Sequence, residues 1–158
     1  MQNQHYKFMM MAIALSQNNI EKGLGGPFGA VIVKNGELVA QSANTVVPSN
    51  DPTAHAEIAA IRLACTALNT FNLTGCTIYT SCEPCPMCLG AIYWARLDKM
   101  YYGNSKKDAA NVGFDDDFIY AELDLLPENR KLKSEQIMQN KAILVFEMWA
   151  KSESKTHY

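Results

Sequence analysis

No apolar run in this 158-residue chain is long enough to cross a membrane. The run at residues 8–15 falls well short of the ~20 residues a helical span needs. It also lacks the long hydrophobic segment of a secretory leader, so a soluble cytoplasmic protein with no membrane association is expected. An excess of charge is missing too. Its 14 basic and 16 acidic residues leave a formal net charge of -2, which offers no chain-wide attraction to phosphate backbones and argues against a nucleic-acid partner. A small-molecule substrate fits better. Repeats and low-complexity segments are also absent. The length suits one domain, burying roughly two-thirds of the surface that the unfolded chain would expose.

The five cysteines do not form the pattern of a secreted disulfide framework, because Cys82, Cys85 and Cys88 are clustered. Such usage implies a reducing compartment. Cys65 and Cys76 read as core residues, as free cysteines commonly are. Histidine is scarce. Of three, His5 and His157 lie near the termini and read as solvated side chains, which leaves His55.

His55-Ala56-Glu57 and Pro84-Cys85-Pro86-Met87-Cys88 together supply one imidazole, two thiols and a carboxylate. Zinc held by three protein ligands keeps a fourth position for water and lowers that water's pKa towards neutrality, whereas a fully occupied site only braces the fold. His55, Cys85 and Cys88 match the open kind, with Glu57 as acid/base. In mid-helix, residues two apart point to different sides, so His55 and Glu57 converge only at a helix end. Asn50-Asp51-Pro52-Thr53 supplies capping residues and a helix-starting proline, and Ile58, Ile61, Cys65 and Leu68 continue as an apolar stripe. The second half repeats the device. Pro84 and Pro86 punctuate the chain before a helix over residues 88–96, placing both cysteines at an N-terminus that favours thiolate. Two other readings compete. The C-x-x-C pair also suits a redox disulfide, and Cys82 would serve as fourth ligand of a structural site.

Around these motifs, residues 4–22 suit an amphipathic helix ended by Gly23-Leu24-Gly25-Gly26-Pro27. Residues 29–34 and 37–42 are β-prone, joined by the hairpin signal Asn35-Gly36. Further strands are expected over residues 76–80 and 99–103. Residues 108–120 read as helical or irregular, Leu125-Leu126-Pro127 as a break, and residues 141–151 as a helix despite β-prone Ile143, Val145 and Phe146. Alternation of strands and helices predicts an α/β three-layer α/β/α sandwich around a mixed central sheet of about five strands. The helix N-termini would gather beyond the carboxyl ends of the strands.

The H-x-E and P-C-x-x-C pattern resembles that of the cytidine deaminase-like zinc hydrolase superfamily. Within it the chain is most similar to the small bacterial guanine deaminases over nearly its whole length. The resemblance is carried by Gly25-Gly26-Pro27-Phe28-Gly29-Ala30, Ser49 onward through Glu57, residues 82–96, and Gly113-Phe114-Asp115-Asp116-Asp117-Phe118-Ile119-Tyr120. It implies one Zn2+ per subunit on His55, Cys85 and Cys88, with Glu57 moving a proton from water to substrate. Water would add at guanine C2, and ammonia would leave to give xanthine, Asp116 being the second acidic residue. The resemblance also places Asn44 and the Ala56 amide against the purine's polar edge, with Phe28 and Trp94 near its ring. It implies a homodimer whose exchanged C-terminal segment brings Tyr158 to the partner's site. The chain would then be a single deaminase domain over residues 1–158.

Three rivals share part of the pattern. A transfer-RNA adenosine deaminase has the same motifs but calls for a basic surface, against the acidic cluster Asp115-Asp116-Asp117. A cytosine deaminase differs only in pocket size and polar edge. A non-catalytic zinc-stabilised binding module would have no need of Glu57.

Overall fold

Asn35 and Gly36 both adopt left-handed backbone, with φ of 51° and 80°, as a two-residue turn between antiparallel strands requires. In this computed structural model, which describes residues 2–114 and 116–157, that turn joins β1 (Gly29–Lys34) to β2 (Glu37–Ala43). On its other side β1 pairs antiparallel with β3 (Cys76–Cys82), and β3 pairs parallel with β4 (Lys99–Asn104). The order is β2-β1-β3-β4, a mixed sheet of four strands rather than about five. The shortfall has a simple origin. Beyond β4 the regular elements among the described residues are all helical: α5 (Lys106–Asn111), α6 (Asp117–Asp124), a 3-10 turn at Pro127–Asn129, and α7 (Gln139–Lys151).

Alternation along β1 explains the layers, since successive side chains of a strand face opposite sides. Ala30 and Ile32 join a core with Ala56, Ala60 and Ala64 of α3 (Ala56–Leu68), Ile78 of β3, and Ile92 of α4 (Pro86–Trp94). Val31 and Val33 face the other way, against Phe8 and Ala12 of α1 (Gln2–Glu21) and Tyr79. A strand buried on both faces reads as a continuous apolar run, as Ala30 to Val33 does. At Gly29 the approach of α1 is so close that a Cβ would collide with the Ala12 carbonyl oxygen. Only glycine fits there.

Some local expectations change. Asn50 to Thr53 does not cap α3; Val46–Ser49 forms a short helix, α2, and the Asp51 carboxylate accepts hydrogen bonds from the Thr53 N–H and hydroxyl. His55 is itself the N-cap of α3. The stripe on α3 is only partly buried at Ile61, Cys65 and Leu68, because small alanines make the closest approach to the sheet. His5 is exposed yet more than solvated: its Nδ1 lies 2.8 Å from the Tyr79 hydroxyl and its Nε2 3.4 Å from that of Tyr101.

The chain divides into two compact units, Met1–Asp117 and Phe118–Tyr158. In the second, Arg130 Nε donates to the carbonyls of Glu122 and Leu125, at 3.0 and 3.1 Å. A cation there satisfies carbonyls that the end of α6 leaves unpaired. No described residue of this unit is buried, and Leu132, Ile137, Phe146 and Met148 are each more than two-thirds exposed. Among the described residues no helix is long and apolar enough to cross a membrane.

Candidate metal centre and active site

The N-caps of α3 and α4 are His55 and Cys85, both with extended backbone and neither using its side chain to cap its own helix. An N-cap side chain ordinarily bonds the free amides of the first turn. Here both are turned elsewhere, towards each other. His55 Nδ1 lies 3.6 Å from Cys85 Sγ and 3.5 Å from Cys88 Sγ, and the three ligand atoms are all within 4.8 Å of one another. Tetrahedral zinc with Zn–N near 2.0 Å and Zn–S near 2.3 Å holds nitrogen and sulfur about 3.5 Å apart. The donor set therefore fits one zinc ion in both chemistry and spacing.

Cys82 is not drawn in as a fourth ligand. Its thiol reaches 3.7 Å to the Ser105 carbonyl instead, and burial with the nearby Glu57 charge holds its pKa up at about 11. The thiols of the ligand pair behave oppositely. Cys85 is lowered to about 4, chiefly because it accepts the hydrogen of the Cys88 thiol and then because of His55. Cys88, fully buried and holding that hydrogen, is raised.

Glu57 is at the second position of α3 and only 6% exposed. Removal from water raises its carboxyl above the ordinary range, which suits a group that must both accept and return a proton near neutral pH. His55 is also raised, by its hydrogen bond to Cys85 and, more weakly, by the charges of Glu57 and Asp116.

A cavity of about 420 Å³ opens over this centre, and its wall includes Phe28, Asn44, His55, Glu57, Cys85 and Asp116. Phe114 faces Phe28 edge-on with ring centroids 4.9 Å apart. Asn44, 6% exposed, is held on every side but one. Its N–H donates to the Phe28 carbonyl at 3.0 Å, its carbonyl accepts from Asn19 Nδ2 at 2.9 Å, and its Oδ1 accepts from the Val46 N–H at 3.2 Å. Among the described residues nothing takes its Nδ2 hydrogens, so Asn44 offers the cavity a donor.

Six of the residues singled out from sequence are thus in one wall. Ala56 opens α3, where its N–H is one of those a helix leaves without an internal acceptor. Trp94 ends α4, 66% exposed and outside the cavity wall. Tyr158 lies outside the described residues. Sequence reasoning missed Asn19, Phe114 as a wall residue, and Glu83. Phe114 stood in a stretch already singled out, whereas Asn19 looked like one more polar residue at the end of a helix.

Comparison with known proteins adds an independent observation. Residues 2–104 match the family model described as the cytidine and deoxycytidylate deaminase zinc-binding region. A guanine deaminase of Bacillus subtilis is 48% identical over 154 residues, 98% of this chain and 99% of the relative. The crystal structure of guanine deaminase from that organism superposes with a TM-score of 0.94, covering 98% of both chains. A guanine deaminase structure from Nitrosomonas europaea is 35% identical, with a TM-score of 0.66 over 69% of this chain and 63% of the other. A transfer-RNA-specific adenosine deaminase of Aquifex aeolicus is 41% identical over 66% of this chain and 69% of the relative.

Proposed function

The chain belongs to the cytidine and deoxycytidylate deaminase zinc-binding family, and from that premise we infer that it is a zinc-dependent guanine deaminase, converting guanine and water to xanthine and ammonia. The single observation that carries this reading is the 48% identity to a guanine deaminase along 98% of the chain. The match to a transfer-RNA deaminase covers only 66%.

His55, Cys85 and Cys88 would hold a zinc ion, which would supply a bound water of near-neutral pKa. The remaining work falls to the protein's own groups. Glu57, buried beside the ligands, takes one water proton as the C–O bond forms at guanine C2 and delivers it to N3 as the C2=N3 double bond opens. The new hydroxyl's proton then goes to the 2-amino nitrogen as the C–N bond breaks and the C2 carbonyl forms. The raised pKa of Glu57 supports this two-way role. Asp116, in the same wall, serves as the second acidic group at the departing amine. Asn44 presents its amide hydrogens to an acceptor on the purine edge, and the Ala56 N–H supplies a second donor at the α3 terminus. Phe28, with Phe114 against it, flanks the flat ring. The exposure of Trp94 favours a contact made outside this cavity.

The working form is a homodimer in which the C-terminal segment is exchanged and the partner's Tyr158 helps close the site. The absence of buried residues among 118–157, despite many large apolar side chains, supports a partner for this segment. Residues 1–158 then act as one deaminase domain, and five free cysteines fit the reducing cytoplasm. The deciding experiment assays metal-loaded protein for ammonia release from guanine, cytosine and adenine and for inosine in transfer RNA. Guanine alone should react; inosine in transfer RNA with silence on guanine would overturn the reading.

A further inference from the structure

The chain leaving β3 towards Cys85 and the chain leaving β4 towards Asp116 run side by side, and residues 82 and 83 hold the second chain at three points. The Glu83 N–H donates to the Asn104 carbonyl at 2.8 Å, extending the parallel pairing of β3 with β4. The Cys82 thiol reaches the Ser105 carbonyl at 3.7 Å. The Glu83 carboxylate then accepts the backbone N–H of Lys106 at 3.0 Å. Lys106 is the first residue of α5, so this amide has no partner within its own helix.

From Lys106 the path to the cavity is short. α5 begins in a capping box between Ser105 and Asp108 and ends in a turn where the Phe114 N–H donates to the Ala109 carbonyl at 3.0 Å. Phe114 packs on Phe28, and Asp116 follows in the cavity wall. The Lys106 ammonium also lies 3.3 Å from Asp117, an exposed pair of the kind that contributes little. Glu83 itself is half-buried in the same wall, two residues before a metal ligand.

We propose that Glu83 is a positioning residue. Its carboxylate ties the metal-ligand loop to the start of α5 and so fixes the spacing between the metal centre and the Asp116 segment. This rests on the reading of Asp116 as a participant in guanine deamination. A charged acceptor on a backbone amide is a strong form of hydrogen bond, and small misplacements of reacting groups are costly: about 1 Å corresponds to roughly a hundredfold in rate.

The test uses zinc-loaded full-length protein and removes the link from either end. Glu83→Ala deletes the acceptor. Lys106→Pro deletes the donor hydrogen at a helix position that tolerates proline, with Ser105 at φ -82° and ψ 165°, compatible with a following proline. Both should lower kcat on guanine by on the order of tenfold to a hundredfold, keep one zinc per chain, and speed amide hydrogen exchange over residues 105–114 while β1 and α3 stay protected. Glu83→Gln keeps an acceptor oxygen, and Lys106→Ala keeps the N–H. Each should remain within about threefold of the parent, since neutral acceptors and lost surface ion pairs cost little. In an Asp116→Asn background, Glu83→Ala should add less than about threefold, as coupled sites do not add. Unchanged turnover and exchange in Glu83→Ala, loss of zinc, a Gln variant as impaired as the Ala variant, or full additivity with Asp116→Asn would each overturn the proposal. A parent enzyme silent on guanine would sink the activity reading instead, and the exchange measurement would still decide whether Glu83 holds the segment.

Discussion

α4 and α7 are both short helices rich in apolar residues, yet they solve different problems. α4 buries Cys88 and Ile92 completely or nearly so and directs its N-cap at the metal centre. α7 has Ile143, Leu144, Val145, Phe146, Met148 and Trp149, and none of them is buried. α4, in the first unit, is explained by the core beneath it. In the second unit, α7 leaves its large apolar side chains exposed.

The sharpest way to probe the first of these regions is Glu57→Gln, which removes the proton carrier while leaving all three ligand atoms. Turnover should fall by about 10²–10⁴ with zinc content unchanged; full turnover would refute the mechanism. A pH signature accompanies it. Because the folded protein raises the Glu57 pKa, the folded state holds the proton more tightly than the unfolded chain. For the metal-free protein, that contribution to stability is complete below the ordinary carboxylate pKa and is lost as pH rises through the raised value. Metal-free Glu57→Gln should therefore melt above the parent at neutral pH and lose that advantage in acid, as thermal unfolding across pH would show.

Metal removal should be the next largest effect. At zinc a thousandfold above its Kd, binding stabilises the folded state by about 4 kcal/mol, so chelation should lower Tm markedly and abolish turnover. The two thiols are shifted in opposite directions, Cys85 down and Cys88 up, so that Cys88 favours the protonated form. Zinc uptake at neutral pH should therefore release at least one proton per chain, and the released protons are measured by calorimetry in buffers of different ionisation enthalpy. Uptake without proton release would contradict the raised pKa of Cys88.

The metal centre was legible because its information is local. His55 with Glu57, and Cys85 with Cys88, are each separated by a few residues, and Pro86 marks where α4 begins. The hairpin at Asn35-Gly36 was legible for the same reason, and so was α7, where helix length outweighed three β-prone side chains. What stayed hidden depends on distant pairs. Asn19 donates to the carbonyls of Gly26 and Asn44 at 2.8 and 2.9 Å, the second across 25 positions, and Glu83 meets Lys106 across 23. No periodicity records such contacts. Asn50 to Thr53 misled for a related reason. Its capping chemistry is real, but Asp51 uses it within its own turn, leaving the N-cap of α3 to His55.

Core truncation extends the comparison between the units. Ile78 is fully buried between β1 and α3, so Ile78→Ala should cost about 3 kcal/mol in urea unfolding. A cost below about 1 kcal/mol would show that this core does not hold the first unit together.

Phe146→Ala should have the smallest effect on the stability of a single chain and the most specific effect on assembly. Its ring is 74% exposed, so truncation removes almost no burial within the chain and should change unfolding by no more than about 0.5 kcal/mol. If the exchanged segment seats α7 on a second copy, the same ring becomes part of a buried surface, and its loss should shift the monomer–dimer equilibrium by about 1.5–3 kcal/mol, or roughly ten- to a hundredfold in dissociation constant. Sedimentation over a range of concentrations reads that shift directly. A dimer of undiminished affinity would place Phe146 away from the interface, and a parent protein that stays monomeric throughout would remove the exchanged segment from the account of the site.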